Sequence, residues 1–256
     1  MTPDQLADCA CRLVDLGQER GVTLRLLGSL GARMQSTRTA ALLDRLGREP
    51  THDIDFMGYS RDQARAHALF LELGYQADTG IALSLEYGVR RLIFYKQPEG
   101  IMVEIFLDQL CMAHTVDFRG RLDFQDYSVA PTDLILSKLQ IQEIAKKDIK
   151  DIIALLATVD LSRGGGNASI DVGHITDILG RYWGFYHTAR GNLERVREWS
   201  ERLREELTEE ERVTAEARAC DLIEAMDAAP KTLRWRVRSM IGPRVKWYAD
   251  VGDVHR

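Results

Sequence analysis

"THDIDFMG", residues 51–58, decides the fold. Its alternation reads as a β-strand over 52–57, with Ile54 and Phe56 turned to a core. Asp53 and Asp55 then share the opposite face. Two like charges that close repel each other, and the pair becomes reasonable when a cation sits between them.

The flanking segments supply further pieces. "VTLRLLGS" (22–29) reads as a strand ending in a glycine turn, and "LGARMQS" opens a helix. Gly28 and Ser29 at such a junction offer backbone N–H groups and a small hydroxyl, a natural seat for phosphate. "RRLIFYKQ" (90–97) and "GIMVEIFLDQL" (100–110) read as a strand pair joined through "PEG". Glu104 and Asp108 fall on one face of the second strand, with Met102 and Phe106. An acid inside an apolar strand is costly unless something binds it. A metal would answer, and so would an ion pair with Arg90 or Arg91. Carboxylates on adjacent strands suit Mg²⁺, a hard ion that keeps phosphate as a further ligand. Beside a phosphate seat they point to phosphoryl or nucleotidyl transfer. In the two-metal scheme the ions lie roughly 3.5–4 Å apart. His52 and His114 stay outside this set, because Mg²⁺ does not favour imidazole.

The helices read from periodicity and punctuation. Residues 4–20 form an amphipathic helix stopped by Gly21, and 61–75 a second ending near Gly74. Residues 37–50 fit either a short helix or a mobile loop. The stretch 128–157 is helical after Pro131, capped by Thr132 or Asp133, with a bend or break near Lys146–Lys147. It carries Lys138 in "SKLQ", then Asp148 and Asp151 in "KKDIKD". As plain surface chemistry these would be solvated helix charges. "SRGGGNAS" (162–169) is the clearest linker, and everything after it reads as helix, including a Glu/Arg-rich pair over 193–224. The expected architecture is α/β (α+β): a small mixed β-sheet flanked by helices over 1–160, then an all-helical region over 165–256.

Bulk properties set limits. A chain of 256 residues, 45% apolar and 29% charged, is ordinary for a globular protein with a real core. No apolar run reaches bilayer-spanning length, and the acid-containing start does not read as a secretory signal. Four scattered cysteines, Cys9, Cys11, Cys111 and Cys220, suit reduced thiols in the cytoplasm. A net charge of −5 argues against coating nucleic acid by bulk charge. Against that background, 231–248 holds six basic residues, three interleaved aromatics and no acid. It suits either RNA or a solvated helix face whose tryptophans pack on the core. "RYWGFYH" (181–187) is expected to pack the helical half.

The combination of Gly28-Ser29, Asp53-x-Asp55 and a later strand acid resembles the nucleotidyltransferase superfamily of the polymerase-beta type, over roughly residues 20–155. "GSLGARMQSTR", "DIDF" and "KLQIQEIAKKDIKDI" are similar to the type IV toxins of abortive-infection systems. Small-molecule nucleotidyltransferases acting on aminoglycosides and lincosamides share the first motifs. The resemblance implies that Gly28 and Ser29 hold nucleotide phosphates, with Arg33 as a further phosphate contact. It implies metal ligation by Asp53, Asp55 and Glu104, although Glu104 is a methylene longer than the usual Asp; Asp108, on the same strand face, could substitute for it. Lys138 would contact the triphosphate, oriented by Asp148 or Asp151. The implied substrates are an NTP with two Mg²⁺ ions, and an RNA hydroxyl such as a tRNA 3′ end or a small-molecule hydroxyl. A cognate antitoxin is an implied partner. The non-enzymatic alternative is a nucleotide-binding regulator that keeps the fold without turnover.

Overall fold

The computed structural model describes residues 3–48, 53–78, 91–164 and 167–250. Thr51, His52 and Arg90, the end of the 37–50 stretch and the middle of the 162–169 linker lie outside the described residues. Helix α1 (Pro3–Glu19) leads into β1 (Leu24–Leu26), α2 (Gly28–Arg33) and α3 (Thr37–Arg45). Next come β2 (Asp53–Gly58), α4 (Gln63–Glu72), β3 (Gln76–Ala77), β4 (Arg91–Lys96) and β5 (Ile101–Leu107), then the short strands β6 (Gln109–Cys111) and β7 (Thr115–Asp117). The remainder is α5 (Pro131–Leu139), α6 (Lys146–Thr158), β8 (Leu161–Ser162), β9 (Ile170–Asp171), α7 (Val172–Leu179), α8 (Trp183–Arg202), α9 (Glu209–Ala228) and α10 (Leu233–Ile241). The class is mixed α/β, with a small mixed sheet and a helical C-terminal part. Among the described residues no helix is long and apolar enough to cross a membrane.

By packing, the chain divides into two compact units. One comprises Met1–Met34, Glu49–Leu110 and Asp117–Ala130; the other comprises Gln35–Arg48, Cys111–Val116 and Pro131–Arg256. Helices α5 and α6, which precede the glycine linker, therefore belong with the helical unit.

The first unit is built on a five-stranded sheet of order β1-β2-β5-β4-β3. β2 and β5 run parallel, and the other pairings are antiparallel. One face is dry. Leu24, Leu26, Ile54, Phe56, Leu92, Phe94, Val103 and Ile105 form its core with Leu6, Ala10, Leu13 and Val14 of α1 and Ala66 and Phe70 of α4. Phe70 stacks on Phe94 with ring centroids 4.6 Å apart. The alternation that buries Ile54 and Phe56 leaves Asp53 and Asp55 on the other face. β1 is shorter than the expected strand, because the chain turns into α2 at Gly28.

In the helical unit, the stretch 128–157, expected to bend or break near Lys146–Lys147, is two helices. The break falls at residues 140–145, and Lys146 opens α6 rather than marking a bend. Thr132 does not cap α5. Its hydroxyl donates to the Ser169 carbonyl and accepts from the Asp171 N–H. The ambiguous stretch after residue 37 is a helix, N-capped by Ser36, whose hydroxyl accepts from the Thr39 N–H. The expected Glu/Arg-rich pair is present as α8 and α9. Thr208 and Glu211 make a reciprocal capping box at the start of α9. A ridge of Ala215, Ala219, Leu222 and Met226 buries α9.

"RYWGFYH" packs this unit, with Trp183 and Phe185 buried. Gly184 is required there: a Cβ would stand 2.5 Å from the Trp247 carbonyl oxygen. His114 stacks on Phe185 at 5.1 Å, and its Nε2 lies 2.9 Å from Thr188 Oγ1. The Thr188 hydroxyl donates to Gln142 and accepts from the Trp247 indole N–H. It therefore receives rather than gives the His114 hydrogen bond, which fixes the neutral tautomer with its proton on Nε2. Burial holds the His114 imidazole down to about 4, against an ordinary 6.5.

Between those two values the unfolded chain binds the proton and the folded chain does not, so stability rises with pH across that window. The contribution is complete above about 6.5 and is lost progressively as pH falls toward 4. Denaturant unfolding near pH 7 and at about pH 5.5 is expected to show lower stability at the acidic pH, with a smaller drop in His114→Gln. An unchanged drop in that variant would assign the pH dependence to other groups.

Candidate functional site

The carboxylate face of the sheet gathers the first set of residues. Asp55 is the register partner of Glu104 across the parallel β2–β5 ladder, and Asp53 is the partner of Met102. Ile93 faces Glu104 from β4, and Tyr95 faces Met102. Register neighbours share a face, so Asp53, Asp55 and Glu104 stand together on one side. Their common field reaches Tyr95. Its hydroxyl is pushed up first by burial, then by Asp78, with Glu104 and Asp53 adding to the shift.

Gly28 brings the backbone into this group. Its φ is +62°, a conformation natural to glycine, and a Cβ placed there would lie 2.8 Å from Asp55 Oδ2. The missing side chain is what lets the carboxylate reach the strand-to-helix turn. The Leu27 N–H donates to the Asp55 carbonyl at 2.8 Å, which ties the turn to β2. α2 then begins with no side-chain cap, its Ser29 buried and Arg33 in its last turn. Its first N–H groups have no intrahelical acceptor.

Glu104 is engaged. Arg91 Nη1 donates to its Oε1 at 2.8 Å, and both side chains are largely covered. Among the described residues no group of three or more His, Cys, Asp or Glu side chains is arranged to hold a metal ion. Asp53 and Asp55 could offer a hard ion such as Mg²⁺ two oxygen ligands beside the Gly28 turn. An ion held by one or two carboxylates takes its remaining ligands from phosphate and water. Glu104 does not complete the set while it is on Arg91.

Asp108 is not a stand-in for Glu104. It lies past the end of β5 with φ +63°, and its Oδ1 accepts from the Ser60 N–H at 3.0 Å. The strand ends one residue short of the position that would have kept it on the Glu104 face.

The second set lies within the helical unit. Lys138 Nζ is 2.7 Å from Asp148 Oδ1 and 2.8 Å from Asp151 Oδ2, so both expected partners meet it. Lys138 on α5 is 7% exposed and Asp151 on α6 is 0% exposed. Burial pulls the Lys138 ammonium down, but Asp151 and Asp148 outweigh it, and the net shift is upward. Arg48 Nε donates to Asp151 Oδ1 at 2.9 Å. Arg48 was invisible as a partner in sequence, because 103 positions separate it from Asp151 and no periodicity links them. Arg91 was legible as one of two basic residues near Glu104.

No family model matches this chain, and neither a curated protein nor a solved structure matches it.

Gly28→Ala is expected to lower stability by about 1–3 kcal/mol, because the methyl group and Asp55 Oδ2 compete for one volume. Chemical denaturation measures it, and a neutral result would refute the close approach. Asp151→Ala removes the Arg48 ion pair and one of the two carboxylates on buried Lys138, which keeps Asp148, and is expected to cost about 3 kcal/mol, the lower end for breaking a buried pair. A loss below about 1 kcal/mol in urea titration would mean the network is solvated, since exposed pairs contribute that little.

Proposed function

We propose that this chain is a Mg²⁺-dependent nucleotidyltransferase with the polymerase-beta type of fold, moving an NMP from an NTP to an acceptor hydroxyl and releasing pyrophosphate. The observation that carries this reading is the Gly28 turn, with φ +62° and pressed against Asp55, beside a sheet face that holds Asp53, Asp55 and Glu104. A bound Mg²⁺ supplies charge neutralisation for the phosphates and polarises the reacting oxygens. Asp53 and Asp55 are its ligands in this reading. The Gly28–Ser29 backbone seats the phosphates, and Arg33 adds positive charge near them. Glu104 is the third acid, available once it parts from Arg91. The Lys138 network with Asp148 and Asp151 belongs to the motif likeness that favours the toxin-type enzymes.

The acceptor we favour is an RNA hydroxyl, on the likeness of the motifs to the toxin-type enzymes, with an antitoxin as a partner of the same origin. A small-molecule hydroxyl is the competing acceptor. The Arg91–Glu104 pair favours one further reading, a nucleotide-binding regulator without turnover, because it occupies the acid that catalysis needs.

Incubation with each α-labelled NTP, Mg²⁺, total RNA and a panel of aminoglycosides separates these readings. Labelled RNA is the expected result. Labelled aminoglycoside selects the small-molecule acceptor, and NTP binding without transfer selects the regulator. Asp53→Ala and Asp55→Ala are each expected to reduce transfer by more than about 100-fold, beyond the loss typical of groups that merely support a metal ligand. Transfer that survives both substitutions would sink the metal assignment.

A further inference from the structure

The last helix, α10, buries none of its residues. Leu233, Val237, Met240 and Ile241 recur at i, i+4, i+7 and i+8, so they form one stripe. Such a stripe normally faces a core. Here Leu233 is 78% exposed and Met240 is 76% exposed. Contiguous exposed apolar surface on a soluble protein marks an interaction site.

The stripe is also one wall of a hollow. Leu233, Val237 and Ile241 line a groove of about 640 Å³ with Tyr182, Trp183 and Trp235. Arg181, Arg234 and Arg238 line it too, and no acid does. Arg181 lies 3.6 Å from Asp177, and Arg238 donates to the Gly242 and Val245 carbonyls. No ion pair reaches Arg234, Arg236 or Arg244 among the described residues. On a chain of net charge −5, this is a local cationic surface.

The tryptophan rings are already committed, and Tyr182, 55% exposed, adds a single ring, too few for a run of stacked bases. Trp183 stacks on His187 at 5.0 Å with Arg238 over its ring at 4.6 Å, and Trp235 sets its edge to Tyr186 at 5.2 Å. Stacking platforms for unpaired bases need free ring faces. What the groove offers instead is aliphatic side chains in a concave wall with arginines around them. A flat bilayer does not fill a concave wall, whereas an amphipathic helix does.

We propose that this groove docks an acidic amphipathic helix of a partner protein, its apolar side chains against Leu233, Val237 and Ile241 and its carboxylates on Arg234 and Arg181. The assignment is independent of the nucleotidyl-transfer reading.

The test uses the full chain and labelled model peptides of about 18 residues, long enough to form an isolated helix. One peptide carries a Leu stripe with a Glu face, one a Leu stripe with a Lys face, and one is a scramble of the first. Fluorescence anisotropy is expected to show the Glu peptide binding at least about tenfold tighter than the other two, a difference of ordinary hot-spot size. Val237→Asp and Leu233→Asp should each weaken it about tenfold, with the circular dichroism spectrum and melting temperature retained, since both side chains are exposed. Equal binding of the Glu and scrambled peptides overturns the proposal, as does Glu-peptide binding that ignores both substitutions, or no peptide binding. Binding of a single-stranded RNA oligonucleotide or of phosphatidylserine-containing vesicles that those substitutions abolish, in place of the Glu peptide, overturns it in favour of that ligand.

Discussion

The parallel ladder between β2 and β5 is the constraint on which the sheet unit depends. Its register sets Asp55 opposite Glu104 and Ile54 opposite Val103. One choice of pairing thus sends the apolar side chains to α1 and α4 and the acids to the other side. A slip of β2 by one residue would exchange its two faces and bury Asp53 and Asp55. The penalty for burying unpaired charge is much larger than that for exposing a few aliphatic groups. The hydrophobic core and the acidic face are therefore two results of one alignment, and Gly28 adds the third by letting the turn approach Asp55.

The helical unit handles charge in the opposite way. On the sheet face the acids sit at the margin of the core, and one of them is answered by Arg91. Around Lys138 two carboxylates and the Arg48 guanidinium are taken inside, where each charge depends on the others. Such a network contributes little net stability compared with an apolar core of the same shape, but it penalises alternative packings severely. Arg48 also links the end of the α3 segment to α6.

How much of this was legible in the sequence depended on the range of the cause. Period-two alternation in "DIDF" and "IMVEIF" announced both strands and both faces, because burial on a strand is decided by immediate neighbours. The Lys138–Asp148 and Lys138–Asp151 pairings were implied by the resemblance to the toxin-type motif. The Arg48–Asp151 pair did not, since only tertiary packing joins those residues. The close approach of Gly28 and Asp55 needed a left-handed backbone angle as well as strand pairing, and neither has a signature beyond the glycine itself. The helix break at 140–145 was placed too late because the charged run "AKKD" looked like the interruption, whereas Lys146 starts a helix. Asp108 was misread because strand periodicity was continued past the strand's end. In 231–248 the aromatic residues stand out in the sequence, yet Trp235 packs on Tyr186 and Trp247 on Trp183, while the aliphatic side chains of α10 are left in solvent.

The interleaving of the two units has a consequence for how the chain must be made. The backbone passes from one unit to the other after residues 34, 48, 110, 116 and 130. No single cut yields either unit whole. During synthesis, Gln35–Arg48 leaves the ribosome long before α6, which carries the Asp151 that Arg48 binds. That early piece must wait, already holding an arginine destined for a buried site, until about a hundred more residues have been added. Completion of the helical unit is thereby coupled to translation of nearly the entire chain, a form of quality control written into connectivity rather than into any one contact.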